Sequence, residues 1–163
     1  MSIALRSLLR NAPSLALVLS ACGGSAPPPE PSAPAAIASP EEKCLADAAA
    51  AAEPRADAPE QISVSHILVR HKDLKRDQGA TRTRGQACLR AQEARDKLLA
   101  GEEWAEVSQA YSDGAGATNG DLGTVRRDDL DATFAAVAFS LAPGELSHVV
   151  ETERGFHVIA RTE

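Results

Sequence analysis

The sequence predicts an α+β fold in which about three helices surround a mainly antiparallel sheet of four strands, and three features carry that expectation. A run rich in β-branched residues, Gln61-Ile62-Ser63-Val64-Ser65-His66-Ile67-Leu68-Val69-Arg70, opens the ordered part. Apolar residues at helical spacing fill the middle of the chain, with one strand-like segment among them, and two short strand-like segments close it.

The first strand is continuously apolar at its centre, as a strand covered on both faces would be. His66 shares a face there with Val64 and Leu68. After a polar loop over 71–82, Thr83-Arg84-Gly85-Gln86 has the spacing of a capping box. Ala87, Ala91, Ala94 and Leu98 then follow one helical face, and Gly101 stands where a C-terminal cap belongs. Trp104 to Tyr111 predicts a shorter second helix, and the small residues of 112–120 turn the chain back. Leu122 to Arg126 predicts a strand. Phe134, Val137, Ala138 and Leu141 sit at i, i+3, i+4 and i+7, so a third helix is expected over 130–141, stopped by Pro143-Gly144. Two strands are expected around 147–150 and 156–161; in the second, His157, Ile159 and Arg161 alternate with Phe156, Val158 and Ala160, after a turn at Gly155.

The residues ahead of this domain differ in kind. Arg6 and Arg10 precede an apolar stretch, Ala12 to Leu19, that is too short to span a hydrocarbon core of about 30 Å. Leu19-Ser20-Ala21-Cys22 closes it and is similar to the bacterial lipobox, which implies that Cys22 is lipidated after cleavage of a signal peptide over 1–21; an ordinary secretory signal is the alternative. Eight of the ten prolines fall between Gly23 and Glu60. Such a composition cannot offset its ordering entropy by burial, so 22–60 is expected to be a disordered tether, with at most a transient helix over 43–53, ahead of a folded domain over 61–163. Export places Cys44 and Cys88 in an oxidising compartment, yet no CxxC or repeated spacing connects them, and no disulfide is expected. The formal charge is −6, and it becomes more negative without Arg6 and Arg10, which excludes nucleic acid as a general partner. No metal-ligand cluster is legible. Aromatic residues are 3% of the chain, so Trp104, Tyr111, Phe134, Phe139 and Phe156 each carry a large share of an otherwise aliphatic core.

Several separated motifs are familiar together. Val64-Ser65-His66-Ile67-Leu68-Val69, Tyr111-Ser112-Asp113, Gly120-Asp121-Leu122-Gly123, Phe134, Phe139, Pro143-Gly144-Glu145-Leu146-Ser147 and Gly155-Phe156-His157-Val158-Ile159 resemble, in order, the parvulin-type peptidyl-prolyl isomerases. The resemblance implies an FKBP-like fold and cofactor-free, noncovalent catalysis of cis/trans exchange before proline, on proline-containing polypeptides, by a monomer. Mapped by motif, it implies that His66 and His157 lie side by side beneath the reacting amide and that Leu122, Leu130 and Phe134 form the pocket for the proline ring. Thr152 completes the hydrogen bonding of the histidines. Asp113 stands in a middle loop that departs from the family pattern, where a cysteine or second acid is common. It is either a catalytic substitute or a loop-capping residue. A holdase with weak or lost isomerase activity is therefore the alternative function. Arg70, Lys72, Lys75 and Arg76 form a basic island, extended by Arg82 and Arg84, in an acidic chain. It is similar to the phosphate clamp of one parvulin branch, or it is a solvated face that favours acidic peptides or anionic headgroups. The reading as a whole is an exported, membrane-anchored lipoprotein, on the periplasmic face and at the outer membrane, that assists folding of exported proteins.

Overall fold

The structure, a computed structural model, describes residues 38–52, 55, 57–75, 79–114 and 118–163. The expected signal peptide, Cys22 and Arg76 lie outside these residues.

The first strand, β1 (Gln61–Val69), is the hub of a four-stranded antiparallel sheet. On one side it pairs with β2 (Asp121–Arg126), on the other with β4 (Gly155–Arg161), which in turn pairs with β3 (Val150–Thr152), giving the order β2-β1-β4-β3. Because side chains alternate along a strand, the sheet sorts its core into two halves. Ile67, Val69, Phe156 and Val158 face the half covered by α1 (Pro40–Ala48), α2 (Arg84–Leu99) and α3 (Trp104–Tyr111). Ile62, Val64, Val150 and Ile159 face the other half, covered by α4 (Ala132–Ala138). Phe156 and Phe139 are fully buried, one in each half, and each contributes about 2–3 kcal/mol of burial free energy.

The capping box forms as expected: the Thr83 hydroxyl accepts from the Gln86 amide while the Gln86 side chain accepts from the Thr83 amide. The third expected helix is shorter than its periodicity suggests. Asp131 caps it through the amides of Thr133 and Phe134, so Leu130 stays extended, and a single 3-10 turn (Arg127–Asp129) precedes it. The last hairpin starts later than expected. The Ser147 hydroxyl accepts from the Ile159 amide in place of a backbone carbonyl, and regular pairing resumes only at Val150.

The tether is corrected in part. Residues 40–48 form a helix with its own capping box between Ser39 and Glu42 and with Pro40 in its first turn. Helix α1 lies against the start of α2 so closely that a Cβ on Gly85 would meet the Glu41 side chain at 2.3 Å. Cys44 and Cys88, both buried, are joined by a disulfide with Cα atoms 6.0 Å apart, where none was expected. The sequence separation of 44 hides a pairing that only the packing of α1 on α2 creates. Ala52 and Ala58 then pack against the α4 half of the core.

Candidate active site

The α4-facing side of the sheet carries the histidines. His66 follows Ile62 and Val64 on the same face of β1, and His157 precedes Ile159 on that face of β4. The register pairs His66 with Ile159 and Leu68 with His157, so the two rings meet diagonally between adjacent strands. Their Nδ1 atoms are 3.1 Å apart and the rings are stacked, with centroids 5.4 Å apart and planes 16° apart. Phe134, delivered by α4, stands edge-on to both, at 5.7 Å from His66 and 5.3 Å from His157.

Local sequence explains why His66 is held so firmly. Its amide donates to the Gly120 carbonyl at 2.8 Å, and a Cβ at position 120 would fall 2.0 Å from the His66 carbonyl oxygen. Only glycine allows that approach, and its φ of +79° suits glycine as well. The preceding Asn119 carbonyl is gripped from α3 by Trp104 Nε1 at 2.9 Å and the Ser108 hydroxyl at 2.8 Å.

Burial sets the charge of the pair. His157 is 2% exposed. Burial pushes the His66 imidazolium down from 6.5 to about 4, helped by the nearby Arg154 charge. Burial, then His66, then Arg154 push His157 from 6.5 to about 3. Both rings are therefore neutral near pH 7, and one Nδ1 must donate to the other. The Thr152 hydroxyl accepts from the Arg154 amide at 3.1 Å and lies 2.8 Å from His157 Nε2, so Thr152, His157 and His66 form one hydrogen-bonded chain whose proton direction is set by the tautomers of the two rings. In the tautomer in which the hydroxyl donates to His157 Nε2, His157 Nδ1–H donates to His66 Nδ1 and His66 Nε2 carries the remaining proton.

The same burial makes stability depend on pH. Below 6.5 the unfolded chain protonates both histidines while the folded chain holds them neutral, so folding stability falls as pH drops from about 6.5 toward 4. The expected slope is about 1.4 kcal/mol per pH unit for each histidine. Urea midpoints measured from pH 7.5 to 5 check this. A profile as steep in the His66→Ala/His157→Ala double variant as in the wild type would contradict it.

The structure thus brings His66, His157, Phe134 and Thr152 into direct contact. Leu130, half-buried, packs against the cluster that contains Phe134. Leu122 is 40% exposed and falls at the bulge where β2 passes Val64 and Ser65, close in register to His66. Asp113 is placed elsewhere. Its carboxylate accepts from Arg82 at 2.5 Å and from the Arg70 amide at 2.7 Å, while its own amide donates to the Leu68 carbonyl at 2.7 Å. It clips the middle loop to the end of β1. Of the basic island, Arg82 is thus committed to Asp113, and Arg84 pairs with Glu151 through both guanidinium nitrogens. Lys72 and Lys75 are exposed. A cavity of about 230 Å³ is lined by Arg70, Thr81, Arg82 and Asp113. Sequence reasoning missed the Arg82–Asp113 clip and Arg154. A basic residue in a two-residue turn just before the second histidine was the available signal for Arg154.

Fold and site together define a small α+β domain with a hydrogen-bonded histidine pair against an aromatic ring on one face of its sheet. The solved isomerase ESS1 of Candida albicans is similar at a TM-score of 0.60 and 27% identity, over 68% of this chain and 66% of that one. Residues 66–163 match the family described as rotamase, PPIC-type PPIASE domain, so the chain belongs to that parvulin family and is a peptidyl-prolyl cis-trans isomerase. Among curated relatives, Pin1 of Malus domestica is 32% identical over 63% of this chain and 93% of its own length. Foldase protein PrsA of Bacillus subtilis is 34% identical over 63% of this chain but only 30% of its own length.

Proposed function

We propose that this isomerase is an exported, lipid-anchored enzyme that accelerates prolyl exchange in polypeptides folding outside the cytoplasm. The neutral hydrogen-bonded pair of His66 and His157 carries the catalytic half of this reading. The uncatalysed barrier is about 18–20 kcal/mol, because the planar amide is a polar resonance hybrid. A gain of about five orders of magnitude requires lowering it by roughly 7 kcal/mol. Holding the amide over an apolar floor while a directed N–H favours the twisted form lowers the barrier without breaking a bond. In this scheme Phe134 and Leu130 seat the proline ring, exposed Leu122 closes over it, and the His66 Nε2 proton faces the amide. Thr152 fixes the proton order, and Asp113 acts as a positioning residue for the middle loop.

The Cys44–Cys88 disulfide supports the export half, since such bonds persist in oxidising compartments. Leu19-Ser20-Ala21-Cys22 supplies the anchor, with residues beyond Cys22 spacing the domain from the bilayer. Metabolic labelling with tritiated palmitate is expected to mark the wild-type chain, recovered with membranes, and to leave Cys22→Ser unlabelled. A wild-type chain free of label would remove the anchor from this account.

A further inference from the structure

Helix α3 directs three side chains at a single residue, Asn119. Trp104 Nε1 and the Ser108 hydroxyl both donate to its carbonyl, at 2.9 and 2.8 Å, and Gln109 Nε2 donates to its side-chain oxygen at 3.2 Å. Ser108 is fully buried, so this bond satisfies a hydroxyl that water does not reach. Asn119 itself is held at φ +50° and is the one non-glycine residue in the left-handed region among the described residues. Such a conformation persists where its surroundings over-determine it. The residues that follow are the part of β2 that meets the site. The Gly120 carbonyl accepts from the His66 amide at 2.8 Å, the Asp121 carboxylate accepts from the Gly123 amide at 2.8 Å, and Leu122 stands between them. α3 packs on the opposite face of the sheet from the histidines.

We infer that Trp104 and Ser108 are positioning residues for isomerisation: acting through the Asn119 carbonyl, they fix the turn over 119–123 that places His66 on one side and Leu122 on the other. The inference rests on the reaction lying at the His66–His157 pair with Leu122 over the proline ring. Two donors converging on one carbonyl set its direction, and because the peptide unit is planar they also set the amide of Gly120. Gly120 lies so close to β1 that a Cβ there would fall 2.0 Å from the His66 carbonyl oxygen, so a small rotation of that plane is felt at His66. The rate is sensitive to such shifts, since groups misplaced by about 1 Å can lose about a hundredfold. Both residues act from the far face of the sheet. A purely structural role would therefore show in the melting point alone.

The test is prolyl exchange by the full chain on an Ala-Pro tetrapeptide at 25 °C, with melting curves and amide NMR spectra of the same variants. Trp104→Phe keeps a ring in the core and removes its N–H; Ser108→Ala removes the hydroxyl. Each alone leaves one donor on the carbonyl and should lower kcat about twofold, whereas the double variant leaves neither and should lower it about tenfold, more than the product of the singles. KM should rise about threefold in the double variant as Leu122 shifts. The His66 amide proton should move upfield as its bond to the Gly120 carbonyl lengthens. Val107→Ala is the control, because Val107 is buried on the same helix but offers Asn119 no donor. It should lower the melting point, hold kcat within about twofold and leave the His66 amide signal in place. A double variant that melts lower yet turns over like the wild type overturns the inference and leaves the isomerase site standing. So does an equal loss of kcat in Val107→Ala. Should the double variant not fold, a His66 amide signal undisplaced in both single variants overturns the inference. Absence of exchange in the wild type would overturn the site assignment as well.

Discussion

Replacing His157 by alanine is expected to lower kcat/KM on a proline tetrapeptide about a hundredfold, equivalent to ~2.7 kcal/mol of barrier. His66→Ala should follow closely, and His148→Ala should stay within about twofold. His157 sits at the centre of the cluster: its Nε2 bonds the Thr152 hydroxyl, its Nδ1 bonds His66 Nδ1, and its ring packs T-shaped against Phe134. Its removal takes away the Nδ1 partner of His66 and frees that ring. Because the two rings act as one unit, the double variant should lose little more than His157→Ala alone. Thr152→Val should cost less, about fivefold, and Thr152→Ser should restore activity. His148 shares neither strand face nor partners with the pair, although its Nε2 is buried without a partner among the described residues. A protease-coupled assay on the folded variants checks the series. Full activity in both core variants would place the chemistry elsewhere.

Breaking the disulfide between Cys44 and Cys88 is expected to cost about 4 kcal/mol, because the bond closes a loop whose ends are 44 residues apart. That is a large fraction of the about 5–15 kcal/mol available to a domain of this size. The corresponding drop in Tm is on the order of 15 °C. The effect should be local in structure. α1 is tied to the rest chiefly through Cys44, Leu45 and Ala48 on the α2 side, whereas the histidines lie on the opposite face of the sheet. Isomerase activity of the folded, reduced chain should therefore stay near that of the oxidised chain at 25 °C while its melting point falls. Equal melting curves with and without reductant would show that the helix docks without help from the bond.

The contrast between these two regions shows what local patterning reveals. β1, α2, α3 and β4 were legible because each is specified by its own residues: a β-branched run, a capping box with small residues on one face, an aromatic-bounded turn of helix, and strict alternation. The histidine pair was legible through its motifs, and its geometry follows from the antiparallel pairing of their strands. Helix α1 was obscured by its proline- and alanine-rich surroundings. Its stability comes from a cap at Ser39 and from a partner helix more than thirty residues away, and neither shows in composition. Asp113 was ambiguous because its role depends on where Arg82 ends up, and that is set by the path of a loop. Leu122 lies on a strand whose outward face is exposed, so an apolar residue there gave no sign of whether it belonged to a core or to a binding surface.

The account stands or falls on a substrate amide resting over two neutral imidazoles that share one proton. Exchange spectroscopy by NMR on a proline peptide with catalytic amounts of the protein, combined with shift mapping on the labelled chain, tests this directly. The account predicts cis/trans exchange accelerated far above the uncatalysed rate, with the largest shifts at His66, His157, Leu122, Leu130 and Phe134 and with imidazole nitrogen shifts of neutral rings at pH 7. Acceleration accompanied by shifts confined to the loop over 70–82, or imidazole nitrogens with the shifts of charged rings, would contradict it.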